Sequence, residues 1–183
     1  MSILLESIVT ELKRCEIKFY VTVPDSLTAS LLKLCEADPF FHVVKACHES
    51  DAIAVGSGLW ITGGKSIVVI ENSGLFNAIE TVRAMPVDMN IPLLLMVTYL
   101  GRPRADTTPE ESYRMWYASG GGAATHVIQQ GMLTEPVVKL LGIPYCILER
   151  ADGVKQIPWA LNKANEIEGP VAILLDTIDV WGR

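Results

Sequence analysis

The residues able to do chemistry gather in short polar stretches that each follow an apolar one. Glu49 stands in "CHES" (47–50), directly after the β-like run 41–46 and before a segment built almost wholly of small residues. "VPDS" (23–26), "ENSG" (71–74), "TYLGRPRAD" (98–106), "ERADG" (149–153) and "DTID" (176–179) have the same setting. Between them they offer carboxylates, hydroxyls, an amide and three arginines, which can hold anions and move protons. Several familiar devices do not fit. No GxGxxG or GxxxxGK[ST] follows a strand-like run, "GSGLW" (56–60) falls inside a helical stretch, and the glycines 120–122 follow a loop, so no nucleotide cradle is expected. There is no GxSxG elbow. The three histidines lie too far apart to make a metal site, and none is expected on this chain.

The elements that must position these stretches alternate along the chain. Helical spacing covers 4–15, where Leu4, Leu5, Ile8, Val9 and Leu12 share a face. An apolar strand at 17–23 leads to the turn Pro24-Asp25, and Ser26 is the expected N-cap of a helix over 27–37. A strand at 41–46 and a helix at 49–62, stopped by Gly63-Gly64, come next. They are followed by a strand at 66–70, a helix at 75–84 and a strand at 92–99. Beyond the long Gly-, Pro-, Arg- and Thr-rich segment 100–126, a helix is expected at 132–141, a strand at 145–148, a helix at 154–167 and a last strand at 171–175. Six short apolar strands, each separated by a helix, predict one three-layer α/β domain over 1–183. Its mostly parallel sheet carries helices on both faces. In such sheets ligands lie outside the carboxyl ends of the strands, which is where all the polar stretches fall.

Composition narrows the partners. Half of the 183 residues are hydrophobic, 20% are charged and the net charge is −6, with Lys13-Arg14 the only basic cluster, so nucleic acid is not the expected partner. The longest apolar run, 91–97, is strand-sized, so no membrane span is expected. The opening segment has an amphipathic helical pattern and no basic leader, and Cys15, Cys35, Cys47 and Cys146 show no paired spacing. A reducing, cytoplasmic location is expected. A mean hydropathy of +0.32 is high for a domain of this size and points to apolar surface covered by a protein partner. The helix after Glu49 has a thin face of Ala52, Ala54, Gly56, Ser57 and Gly58, although an interior glycine costs about 1 kcal/mol relative to alanine. Close packing on the sheet explains that face most simply; approach of a ligand or another backbone is the alternative.

"VPDS", a strand ending in "HES" before a small-residue helix, and "ENSGLFNAIETV" (71–82) together resemble the pyrimidine-binding domain of thiamine-diphosphate enzymes. The resemblance is strongest to the sulfopyruvate and phosphonopyruvate decarboxylases. "NSGL-x-N" is its most specific piece, and "THVIQQGMLTEPVVKLLGIPY" (125–145) extends it, with 102–124 the main exception. It implies that Glu49 hydrogen-bonds N1′ of the cofactor's aminopyrimidine and favours the imino tautomer, through which the C2 proton is removed. Without it, Glu49 would be an acid placed favourably at a helix N-terminus. It further implies cofactor contacts from Pro24, Asp25, Ser26, Asn72, Ser73, Gly74, Leu75 and Asn77, and a second catalytic group at His126. His48, Arg102 and Arg104 are the substrate candidates, the arginines suited to a sulfonate or phosphonate or else plain loop charges. The family's GDG metal motif is absent: "ADG" (151–153) lacks the first glycine, and Asn162 and Asn165 follow too soon. Mg2+ and the diphosphate are therefore expected on a separate beta subunit, in a hetero-oligomer with paired alpha subunits acting on a 2-oxoacid. A carboligase subunit and a non-catalytic regulatory subunit are the alternatives. The segment with Tyr113, Trp116, Tyr117 and Gly120-Gly121-Gly122 is expected to be a lid or a partner contact.

Overall fold

A computed structural model describes residues 3–103 and 124–176. The expected three-layer architecture is what forms. The elements run α1 (Ile3–Arg14), β1 (Phe19–Thr22), α2 (Ala29–Ala37), β2 (His42–Lys45), α3 (Glu49–Ile61), β3 (Ser66–Ile70), α4 (Asn72–Asn77) and α5 (Ile79–Val82). A π-helical turn at Arg83–Val87 leads to β4 (Leu94–Thr98), and α6 (Ala124–Leu140), β5 (Tyr145–Leu148), a 3-10 turn (Ala151–Lys155), α7 (Gln156–Ile167) and β6 (Val171–Leu175) complete the series.

The six strands form one sheet in the order β2-β1-β3-β4-β6-β5, and every pairing is parallel. β1 is bracketed by Phe19↔His42 on one side and Phe19↔Ser66 on the other. β4 is bracketed by Ile67↔Leu94 and Leu94↔Val171. All five positions of β3, β4 and β6 are buried, which is why these runs are apolar without alternation. Residues of alternating register serve two cores. Ile67, Val69, Leu94 and Met96 meet Ile8, Leu12, Leu31 and Leu161 of α1, α2 and α7. Val68, Ile70, Leu95 and Val97 meet Ile53, Leu75, Val82 and Val138 of α3 to α6. Each such side chain, taken from water, contributes about 1.5–3 kcal/mol before the entropy of ordering is counted.

Close packing explains the interior glycine of α3. A Cβ on Gly56 would lie 2.4 Å from Val68 Cγ2 and 3.2 Å from Leu93 Cδ1, so only glycine lets the helix lie this near β3. Gly58 has nothing within 4 Å of the same position and leaves a gap on the outer side.

The structure departs from the sequence-based expectations at several boundaries. Ser26 is not the N-cap of α2: the helix starts at Ala29, and Asp25 takes over the turn. Its Oδ1 accepts from the backbone of Leu27 (2.6 Å) and Thr28 (2.8 Å), and its Oδ2 from the Thr28 hydroxyl (2.7 Å). A carboxylate satisfies three donors where a serine hydroxyl could reach one. The helix expected at 75–84 is instead α4, α5 and the π turn, because Pro86 cannot continue a regular ladder. The helix expected from 132 starts at Ala124. Gly131 within it allows a close crossing, since its Cβ would lie 1.7 Å from Gly101 O. The segment holding Tyr113, Trp116, Tyr117 and Gly120–Gly122 falls outside the described residues.

Candidate functional site

The carboxyl ends of β1, β2 and β3 bring three of the polar stretches to one edge. At the end of β2 the backbone of His48 is extended (φ −143°, ψ 148°) and its Nδ1 accepts from Ser50 N at 3.3 Å, capping α3. His48 is exposed and Glu49 half-buried. Glu49 is the first residue of α3, where a carboxylate is favoured by the helix dipole. Its side chain lies against the backbone of Gly74: a Cβ there would fall 2.4 Å from Glu49 Cγ and 2.6 Å from both Cδ and Oε1. Any other residue at 74 would displace the carboxylate. Among the described residues the Glu49 side chain makes no hydrogen bond or ion pair.

The β3 turn supplies the rest. Ser73 is half-buried, Leu75 buried in the core and Asn77 exposed at the far end of α4. Asn72 is fully buried, and its amide serves the protein. Nδ2 donates to Leu100 O (3.0 Å) and Thr134 Oγ1 (2.9 Å), and Oδ1 accepts from Gln130 Nε2. Pro24 and Ser26 are exposed, while Asp25 is committed to its turn.

At the other end of the edge the charges face inward. Arg102 donates to Asp176 Oδ2 at 2.7 Å, pairs with Glu149 and sits over the Tyr99 ring at 5.8 Å. Asp176 is fully buried and the Arg102 side chain only 19% exposed. Burial works to lower the Arg102 pKa, but the hydrogen bonds it donates to Asp176 and Glu149 outweigh it and the net shift is upward. Arg102 is thus an internal partner. Arg104 lies outside the described residues. His126 stands in the first turn of α6, and only its backbone is described.

Against protein-family models the chain has no match. Against curated proteins it is 25% identical over 173 residues to the sulfopyruvate decarboxylase alpha subunit of Methanocaldococcus jannaschii, covering 94% of this chain and 92% of that one. The likeness runs nearly end to end. The resemblance carried by "VPDS", "HES" and "NSGL-x-N" is borne out. Phosphonopyruvate decarboxylase from Streptomyces viridochromogenes is 30% identical over 88 residues, 48% of this chain and 22% of the larger protein. Among solved structures, a thiamine diphosphate-dependent 4-hydroxybenzoylformate decarboxylase from Rhodococcus jostii RHA1 superposes with a TM-score of 0.62 over 98% of this chain at 18% identity. It establishes a shared fold, and this chain spans 31% of that enzyme's length.

Sequence reasoning missed three features of the edge. Gln130 donates to Asn72 Oδ1 and, at 3.0 Å, to Glu71 Oε1. Its only signal was the "QG" of the resemblance. Thr134 is buried with no signal at all. Glu135 accepts from Tyr99 OH (2.9 Å), Tyr145 OH and Lys139 Nζ (3.2 Å). Partial burial would raise its pKa, but these donors outweigh it and hold the carboxyl below the usual range. The Tyr99 hydroxyl is pushed the other way, by burial first and then by Glu135.

Proposed function

We infer that this chain is the alpha subunit of a two-chain, thiamine-diphosphate-dependent 2-oxoacid decarboxylase. The observation that carries the reading is the Glu49 carboxylate, unpaired among the described residues and seated on the bare backbone of Gly74 at the carboxyl edge of a parallel sheet. That cradle fits an aminopyrimidine: a flat ring presenting a ring nitrogen to the edge meets one carboxyl group, and no side chain at 74 obstructs it. The β3 turn around Ser73 and the exposed turn at Pro24 and Ser26 flank the same edge.

When bound, thiamine diphosphate would supply the electron sink for loss of carbon dioxide from the 2-oxoacid. The protein's own contribution is positional and protonic. Glu49 holds a proton at N1′ of the pyrimidine, and the helix N-terminus steadies the charge it gives up and regains. Gly74 fixes where the carboxyl group lies. His126, at the start of α6, is the candidate for proton transfer to the substrate. With Arg102 occupied by Asp176 and Glu149, the anionic tail of a sulfonate or phosphonate substrate would be met by Arg104 or by the partner. Similarity over nearly the whole of a protein named as an alpha subunit supports a second chain. That partner is the proposed source of Mg2+ and of the diphosphate contacts, and it would close over Glu49, which is only half-buried here.

The test is reconstitution with a partner carrying the GDG motif. The pair should release carbon dioxide from sulfopyruvate or phosphonopyruvate only with thiamine diphosphate present, and Glu49→Gln should abolish release while leaving pair assembly intact. Tight cofactor binding by the wild-type chain alone, or full activity in Glu49→Gln, would overturn it.

A further inference from the structure

Asn72 opens α4 and is completely buried, with both ends of its amide satisfied. Its partners come from two other elements: Leu100 O, just past β4, and Thr134 and Gln130 on α6. The Thr134 hydroxyl donates its own hydrogen bond to Gln130 O at 2.8 Å. Gln130 in turn holds Glu71. The glycine crossing locks the same region, because Gly101, with φ +75°, and Gly131 meet backbone to backbone. Apolar side chains would hold these layers together at lower desolvation cost. A saturated polar cluster instead fixes one relative position of its members.

What it fixes lies on both sides. Two residues beyond Asn72 is Gly74, the floor beneath Glu49. Four residues before Gln130, one helical turn away, is His126. We propose that the buried Asn72–Thr134–Gln130 cluster makes the Gly74 floor and the first turns of α6 one mechanical unit, so that the order of α6 sets the aim of Glu49. Thr134 and Gln130 are positioning residues. The link to catalysis rests on the reading of Glu49 above; the coupling itself does not.

Thr134→Val keeps the shape of the side chain and removes the hydroxyl, whereas Thr134→Ser keeps the hydroxyl. In hydrogen–deuterium exchange on the full chain, Thr134→Val should speed amide exchange about tenfold in 72–75 and 50–53 as well as on α6, and Thr134→Ser should match wild type. Exchange that rises on α6 alone, or nowhere, overturns the coupling. If Thr134→Val does not fold, Gln130→Leu is compared in the same way. In the reconstituted pair, Thr134→Val should slow exchange of the cofactor's C2 proton about tenfold while changing cofactor affinity less than about threefold. An unchanged C2 rate beside the altered amide pattern overturns the link to Glu49. A wild-type pair that ignores thiamine diphosphate overturns the functional reading and leaves the amide result to decide the coupling.

Discussion

Two ends of one sheet edge treat charge in opposite ways. Beyond β2 and β3, Glu49 is half-exposed and makes no hydrogen bond or ion pair among the described residues. Beyond β4, β5 and β6, Arg102, Glu149 and Asp176 are bound to one another, with Asp176 wholly out of solvent. The rule that ligands gather at the carboxyl ends of parallel strands therefore locates the edge but not which part of it is reactive. On the proposed function, self-pairing decides that. A charge already matched inside the protein stabilises structure, and one left with open valences can serve a ligand.

Substitutions at the two ends should separate cleanly. The largest effect belongs to Glu49→Gln, which should lower turnover of the reconstituted pair by about 10²–10⁴. Its melting temperature should stay near wild type, as for a surface substitution within about 0.5 kcal/mol. Arg102→Ala should do the reverse, removing the guanidinium that donates to the buried Asp176 carboxylate and costing about 1.5–3 kcal/mol in chemical denaturation. A stable Arg102→Ala chain that lost substrate affinity in the pair would erase the contrast. Gly74→Ala sharpens the reactive end, since the new methyl must displace Glu49. Turnover should fall about tenfold to a hundredfold, read beside a circular dichroism melt that moves little. Gly56→Ala, aimed at Val68, should cost about 1–3 kcal/mol by overpacking with kcat unchanged.

The smallest effect concerns pH. Glu135 has a lowered pKa in the folded chain, so the stability it contributes is present above the ordinary carboxylate value and is lost as pH falls through the folded one. Thermal melts of wild type and Glu135→Gln should differ by no more than about 1 kcal/mol near neutrality. They should converge as the pH falls below the ordinary carboxylate range. A gap that widens on acidification would refute the assignment.

Much of this was legible in the sequence, for physical reasons. β3, β4 and β6 are buried on both faces, so their apolar runs betrayed them. Glu49 stood out through the resemblance carried by "HES" and "NSGL-x-N"; its position alone suits an ordinary acid at a helix N-terminus. What stayed hidden depended on partners distant in sequence. Nothing local shows that Asn72 turns toward Thr134, 62 residues away, or that Arg102 finds Asp176 across 74. Asp25 outcompeted Ser26 for the α2 turn because three donors converge on one carboxylate, a geometry invisible to a capping rule. The first half of α6 was missed because it follows directly on a Gly-, Pro-, Arg- and Thr-rich segment, and the contact of its Gly131 with Gly101 cannot be read from local sequence.

That same glycine crossing bears on how the chain can evolve. Pro103 and Ala124 leave and rejoin the described fold beside a junction where neither backbone can move without the other. Chain-closure entropy grows by only about 0.6 kcal/mol for each doubling of length between two fixed anchors, so insertions and deletions between these two points should cost folding little. Relatives could accordingly differ most in this stretch while keeping the sheet and its reactive edge in register.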